Sequence, residues 1–259
     1  LARLALLRAG LPVAVPGYTV HRQCGSGLQA VLNAAQQIQC GLADIVVAGG
    51  AESMSTAPYY IRGARYGLVA GNGEIVDPNT ESQPRAQPIE EYGRLTMGLT
   101  AENLAEQYNI SREEQDVYAL ESQHRAARAI AAGHFKGEIV PYEVKRRKQT
   151  VTFDTDEHPR QTSLEKLAKL PAVFKKGGTV TAGNASGRND AASALVIMSR
   201  EAADARGLKP KARILAQAAS GVRPDIMGIG PVPATKKALK MAGLKLEDID
   251  LIELNEAFA

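Results

Sequence analysis

The sequence is poor in cysteine, carries no large excess of charge and holds no long apolar run, and each scarcity removes a class of function. Two cysteines, Cys24 and Cys40, in 259 residues do not make a disulfide scaffold. They fit a reducing compartment, the cytoplasm or an organelle matrix. Lys and Arg number 31 against 28 Asp and Glu, a net charge of +3, too small to point to nucleic acid or a membrane surface as a partner. No apolar stretch approaches the length of a membrane-spanning helix. No P-loop is present and no GxGxxG follows a strand, so nucleotide cofactors of those kinds are not indicated. No Cys/His pair has ligand spacing, and no metal is expected. The chain opens on Leu1 rather than Met and stops on "DIDLIELNEAFA", a core-strand pattern. The expectation is a fragment cut at both ends.

What is present reads as an alternating α/β chain. Hydrophobic residues make up 44% and charged residues 23%, ordinary for a globular protein with one large or two smaller cores. "LARLALLRAGLP" predicts an amphipathic helix ended by Gly10 and Pro12. "YTVHR" and "DIVVAGG" predict strands around the helix "SGLQAVLNAAQQIQCG", which suggests βαβ units and a largely parallel sheet. Residues from Ser55 to about Asn109 are irregular, and a loop region that long is usually functional. Residues 111 to 132 predict a helix opened by a Ser111/Glu114 capping box and closed by Gly133. Further on, Ala194 to Ser199 and "ARILAQAASG" predict buried strands, and "GPVPATKKALKMAGLKLEDIDLIEL" predicts helix, turn and strand. "KRRK", Lys145 to Lys148, reads as a solvated strand or loop.

The stretch "TVHRQCGSGLQAVLNAA" sets a cysteine between a strand-like run and a helix. The thiolate is the nucleophilic form of cysteine, and the amides at a helix start favour an anion there. Gly25 and Gly27 would allow a tight corner and close approach of a substrate. The plainer reading makes Cys24 a small buried hydrophobe, and on the residues alone it has the edge. Cys40 falls near a helix end, where the dipole opposes a thiolate, and reads as inert core. The histidines offer no clear base. His21 is at odd spacing from Cys24 on a strand, His124 and His134 sit on or just after the capped helix on what reads as a solvated face, and His158 lies in a polar loop. "TVTAGNASGRND" is explained by turn chemistry or by a loop that admits a narrow ligand. Asn255 and Glu256 follow a predicted core strand, where open α/β sheets build sites, although Asn255 also reads as a helix cap.

Seven stretches together, "CGSGLQAV", "GGAESMS", "MGLTAEN", "SREEQD", "TVTAGNASGRND", "GIGPVPA" and "NEAFA", resemble the ordered landmarks of the thiolase family. The resemblance runs along essentially the whole chain and reverses the order of readings for Cys24. It implies a five-layered α/β/α/β/α fold. On that pattern residues 1–53 and 189–210 form the N-terminal half, 54–188 an inserted loop domain, and 211–259 the start of a C-terminal half. It implies an acyltransferase acting on CoA thioesters through an acyl-Cys intermediate, with no cofactor because CoA and acetyl-CoA are substrates. A ketosynthase-like condensing enzyme and a non-catalytic CoA- or lipid-binding relative are the alternatives. The family pattern makes Cys24 the acylated nucleophile and Asn255 the holder of a water in an oxyanion site. It makes Ser186 a partner of the pantetheine arm, Met97, Phe174, Ala257 and Phe258 pocket-lining residues, and Arg160 a neighbour of the CoA adenine. A homodimer or homotetramer is implied, and the family histidine and second cysteine are expected beyond Ala259. Thr96, His21, Lys166, Arg188 and Ala191 depart from the usual family residues, which bears on chain length and CoA fit rather than on the nucleophile.

Overall fold

The computed structural model describes residues 1–147 and 149–259. In chain order its helices and strands are α1 (Ala2–Arg8), α2 (Ser26–Gln39), β1 (Ile45–Glu52), the two-residue strands β2 (Tyr60–Ile61) and β3 (Ile75–Val76), and the short helices α3 (Pro78–Glu81) and α4 (Ile89–Tyr92). Then come α5 (Met97–Tyr108), α6 (Arg112–Ala131), β4 (Tyr142–Arg146), β5 (Gln149–Phe153), α7 (Leu164–Ala168), β6 (Ala191–Met198), α8 (Arg200–Asp204) and α9 (Pro231–Ala242). The chain divides into two compact units. One comprises Leu1–Ile61, Arg188–Ala219 and Thr235–Leu246, the other Arg62–Gly187, Ser220–Ala234 and Glu247–Ala259.

The first unit is organised by β1, β6 and the helix α2 that lies against β1. β1 and β6 pair antiparallel over their full lengths, from Ile45 opposite Met198 to Glu52 opposite Ala191. This corrects the expectation of parallel pairing here: alternation of helix and strand in the chain does not fix the direction of a neighbour 139 to 153 residues away. "YTVHR" forms no strand; an isolated bridge between Arg22 and Cys24 is what the region holds. Nor is β6 buried as predicted, since Leu195 is 56% and Val196 61% exposed. "ARILAQAASG" and "DIDLIEL" join no ladder among the described residues. Apolar alternation supplies a face, and a strand also needs a partner edge.

The second unit is built around α5 and α6. The capping box is present as read: Ser111 Oγ accepts from the Glu114 amide at 3.2 Å, and the Glu114 carboxylate accepts from the Ser111 amide at 2.7 Å. Gly133 closes the end at φ 73°, the left-handed conformation glycine takes most readily. The burial beneath these helices is unusually polar. Thr100, Glu102, Gln115, Asp116, Thr181 and Asn184 are each 5% exposed or less, beside Leu167 and Val180. α5 also donates from Asn103 Nδ2 to the Asp225 carbonyl at 2.9 Å. β4 and β5 form a hairpin in which Arg146 faces Gln149. Lys145 and Arg146 lie on β4 and Arg147 in its turn, whereas the Lys148 part of the "KRRK" reading lies outside the described residues.

Candidate active site

Cys24 stands two residues ahead of α2, exposed, with Gly25 at the N-cap position. The corner is closed by one hydroxyl. Ser26 Oγ accepts from the Arg22 amide at 2.8 Å and donates to the Gln23 carbonyl at 2.6 Å. The left-handed residue of this turn is Gln23, at φ 48°, while Gly25 sits at φ −83°. Sequence reasoning assigned the conformational freedom to the glycines; the structure assigns it to a residue with a side chain, which costs about 1 kcal/mol or more and marks a constrained site. Gly27 has a different task. It faces Gly50 of β1, and a Cβ on Gly50 would come within 3.3 Å of the Gly27 Cα. Bare backbone on both sides lets the start of α2 rest directly on the strand.

Cys40 is the C-cap of α2 and is exposed. Its helix-end position is as expected, but it is not core. In the same unit Asp190 gathers the loop after β1. It accepts from the Ser55 amide at 3.0 Å, from the Ser55 hydroxyl, and from Ser53 Oγ at 3.3 Å. The Ser55 hydroxyl, then its amide, holds this carboxyl below its ordinary range.

The second unit brings together most of the remaining candidates. Residues 184–186 and 257–259 run antiparallel. The Ser186 amide donates to the Ala257 carbonyl at 2.9 Å, Ala185 bridges Phe258, and the Ala259 amide donates to the Asn184 carbonyl at 3.0 Å. Phe258 meets Phe174 edge-to-face, centroids 6.5 Å apart, a favoured aromatic geometry. Phe174 in turn lies over Gly98, next to Met97; a Cβ on Gly98 would run into the Phe174 ring. Met97 begins α5, with its amide donating to Gln83 Oε1 at 3.1 Å. Arg160 is exposed and lies at one remove from this group. Its backbone donates to Gln123, its Nε donates to the His158 carbonyl at 3.2 Å, and the His158 ring covers Gly187, the neighbour of Ser186.

Of the residues that hold this arrangement, Asn184 and Glu102 were not read from the sequence, and Glu256 was read only as a polar group after a predicted strand. Asn184 is the hub of the TAGN loop. Its Oδ1 accepts from the Thr181 amide at 2.7 Å, and its Nδ2 donates to Asp116 Oδ1 and to the Thr179 carbonyl, both at 3.0 Å. Glu102 accepts from the Thr179 and Val180 amides and the Thr179 hydroxyl, each at 2.9 Å. Glu256 is gripped by α6: Tyr118 donates to Oε1 and Ser122 to Oε2, each at 2.7 Å. The Ser122 and Tyr118 hydroxyls hold the Glu256 carboxyl below its usual range, and the same bond to Glu256 pushes the Tyr118 phenol up. Asn255 itself is exposed, with its carbonyl accepting from the Ala257 amide at 3.0 Å in a tight turn.

Comparison with known proteins matches this chain to the family described as "Thiolase, N-terminal domain" over residues 1–201 and "Thiolase, C-terminal domain" over residues 208–259. It is 54% identical to the acetyl-CoA acetyltransferase of Escherichia coli K12 over 260 residues, covering 100% of this chain and 65% of that protein. It is 50% identical to the mitochondrial 3-ketoacyl-CoA thiolase of Homo sapiens, covering 100% of this chain and 64% of that protein. Among solved structures it superposes on the Bacillus anthracis acetyl-CoA acetyltransferase with TM-score 0.90 at 52% identity, covering 99% of this chain and 64% of the other. The human mitochondrial 3-ketoacyl-CoA thiolase in complex with CoA gives 0.89 at 49% identity, covering 100% and 64%. The chain thus shares the α/β fold of these proteins and spans about 65% of the length of the curated relatives it matches.

Proposed function

The chain belongs to the thiolase family, and from that premise we propose that its protein transfers acyl groups between CoA thioesters with Cys24 as the acyl carrier. The Cys24 thiolate attacks the thioester carbonyl, the carbon–sulfur bond to CoA breaks, and CoA leaves as a thiol after taking up a proton. The acyl group then rests on Cys24. Attack by the α-carbon of a second acyl-CoA, after loss of its proton, gives a 3-ketoacyl-CoA and frees the thiolate; the reverse is thiolytic cleavage. Asn255 holds a water at the developing oxyanion, a contact worth about 3 kcal/mol in the transition state. Ser186 meets the pantetheine arm, Met97, Phe174, Ala257 and Phe258 line the pocket, and Arg160 lies toward the adenine. No metal or redox cofactor enters this chemistry. The protein works as a homodimer or homotetramer in the cytoplasm or an organelle matrix. Among the described residues no helix is long and apolar enough to cross a membrane.

The observation that supports this reading best is the corner itself: an exposed cysteine beside a left-handed Gln23, directly ahead of a helix braced on a strand. The complete gene product, incubated briefly with acetyl-CoA and mapped by mass spectrometry, should carry the acyl group on Cys24 and not on Cys40. Label on Cys40 with Cys24 clean would overturn it.

A further inference from the structure

Asn255 sits at a mechanical boundary. The residues before it, 249–254, join no ladder among the described residues. The residues after it are tied through Ala257, Phe258 and Ala259 to residues 184–186. Glu256 lies between Asn255 and that tie, and its side chain bonds to α6. Tyr118 and Ser122 are four residues apart and therefore share one helix face. Each gives its hydroxyl to a different oxygen of the Glu256 carboxylate at 2.7 Å. Two donors on two oxygens fix the carboxylate plane as well as its position. One donor would leave the group free to rotate. The helix that supplies them is 20 residues long and carries a complete capping box, so the anchor is stiff.

We propose that Tyr118 and Ser122, acting through Glu256, are positioning residues for Asn255; the inference rests on the oxyanion reading given above. Tyr118 and Glu256 are exposed and Ser122 is partly so, and bonds this close to solvent add only modestly to stability. Their value is geometric. The backbone of Glu256 is bonded directly to that of Asn255, and the Asn255 carbonyl is folded onto Ala257 at 3.0 Å. Loosening the carboxylate therefore lets the asparagine amide swing relative to the substrate, and displacements near 1 Å are enough to lose orders of magnitude in rate.

The test uses steady-state cleavage of acetoacetyl-CoA by the complete gene product. The variants are Tyr118→Phe with Ser122→Ala, Glu256→Gln, the three combined, and Asn255→Ala as reference. The paired variant and Glu256→Gln should each lower kcat about tenfold with KM held within about twofold, as expected for an effect confined to the transition state. The combination should be no slower than the worse of the two, because both break one device. Should Glu256→Gln fold poorly, the paired variant carries the test, since both of its changes lie on the surface of α6. Wild-type kcat in the paired variant beside a collapsed Asn255→Ala would overturn the proposal. So would effects that multiply, or a KM that rises at constant kcat. Full activity in Asn255→Ala would overturn the oxyanion reading and this proposal with it.

Discussion

In the unit around α5 and α6 a carboxylate performs the task that a neighbouring strand performs for β1 and β6. Glu102, 3% exposed, satisfies the amides of Thr179 and Val180, and Asn184 satisfies that of Thr181. An irregular loop is thereby buried without ladder partners. β1 and β6 satisfy their amides by pairing with each other, yet they leave Val47, Leu195 and Val196 more than half exposed. The first region depends on particular side chains and little on its surface. The second depends on backbone fit, and several of its side chains are exposed in this chain. Buried backbone groups demand partners in both cases; what differs is which atoms a substitution can remove.

That contrast can be broken at its strongest point by Glu102→Ala. Two amides and a hydroxyl lose their acceptor in a dry place, at a cost of about 3 kcal/mol or more. Hydrogen exchange should accelerate at the Thr179 and Val180 amides first, and unchanged protection there would remove Glu102 from its role. Gly49→Ala attacks the other region. Its Cβ would run into the Ser193 carbonyl, and no rotamer relieves a clash with backbone, so a loss of about 2 kcal/mol in denaturant unfolding is expected. A variant as stable as the parent would show that β1 and β6 can slide. The smallest effect belongs to Val196→Thr, near-isosteric and 61% exposed in this chain. Stability should shift by less than about 0.5 kcal/mol. A loss several times larger would reveal that this sheet face is covered in solution.

The α6 boundaries were legible because every signal for them is local: a capping box spanning four residues and a glycine two residues past the last helical one. The cysteine corner was legible as a place, from a thiol and two glycines ahead of a helix. Its left-handed residue was not, because nothing in the composition of "RQCGSG" singles out Gln23. Asn255 and Glu256 were legible as polar groups after a predicted strand, whereas Ser186 and Phe174 could be named only through the thiolase landmarks. Glu102, and the part that Glu256 plays, escaped for a physical reason. A glutamate in a helix or after a strand usually faces water, and their partners lie 77 and 138 residues away in the chain. The buried strands predicted from "ARILAQAASG" and "DIDLIEL" failed for the complementary reason: Leu251, Ile252 and Leu254 remain 82%, 63% and 64% exposed, so their pattern calls for a cover that these residues do not find here.

The contact of Gly27 with Gly50 has a mechanical consequence. Between most helices and the strands beneath them lies a layer of side chains, and a change of volume in that layer shifts the helix. Here the separation at the start of α2 is set by two backbones in contact. It acts as a hinge pin of fixed thickness. Repacking farther along α2, at Ala34 or Ala35, would tilt the helix about this end and leave Cys24, two residues ahead of it, almost unmoved. Changes of volume farther along the helix would therefore leave the end that carries Cys24 at its address.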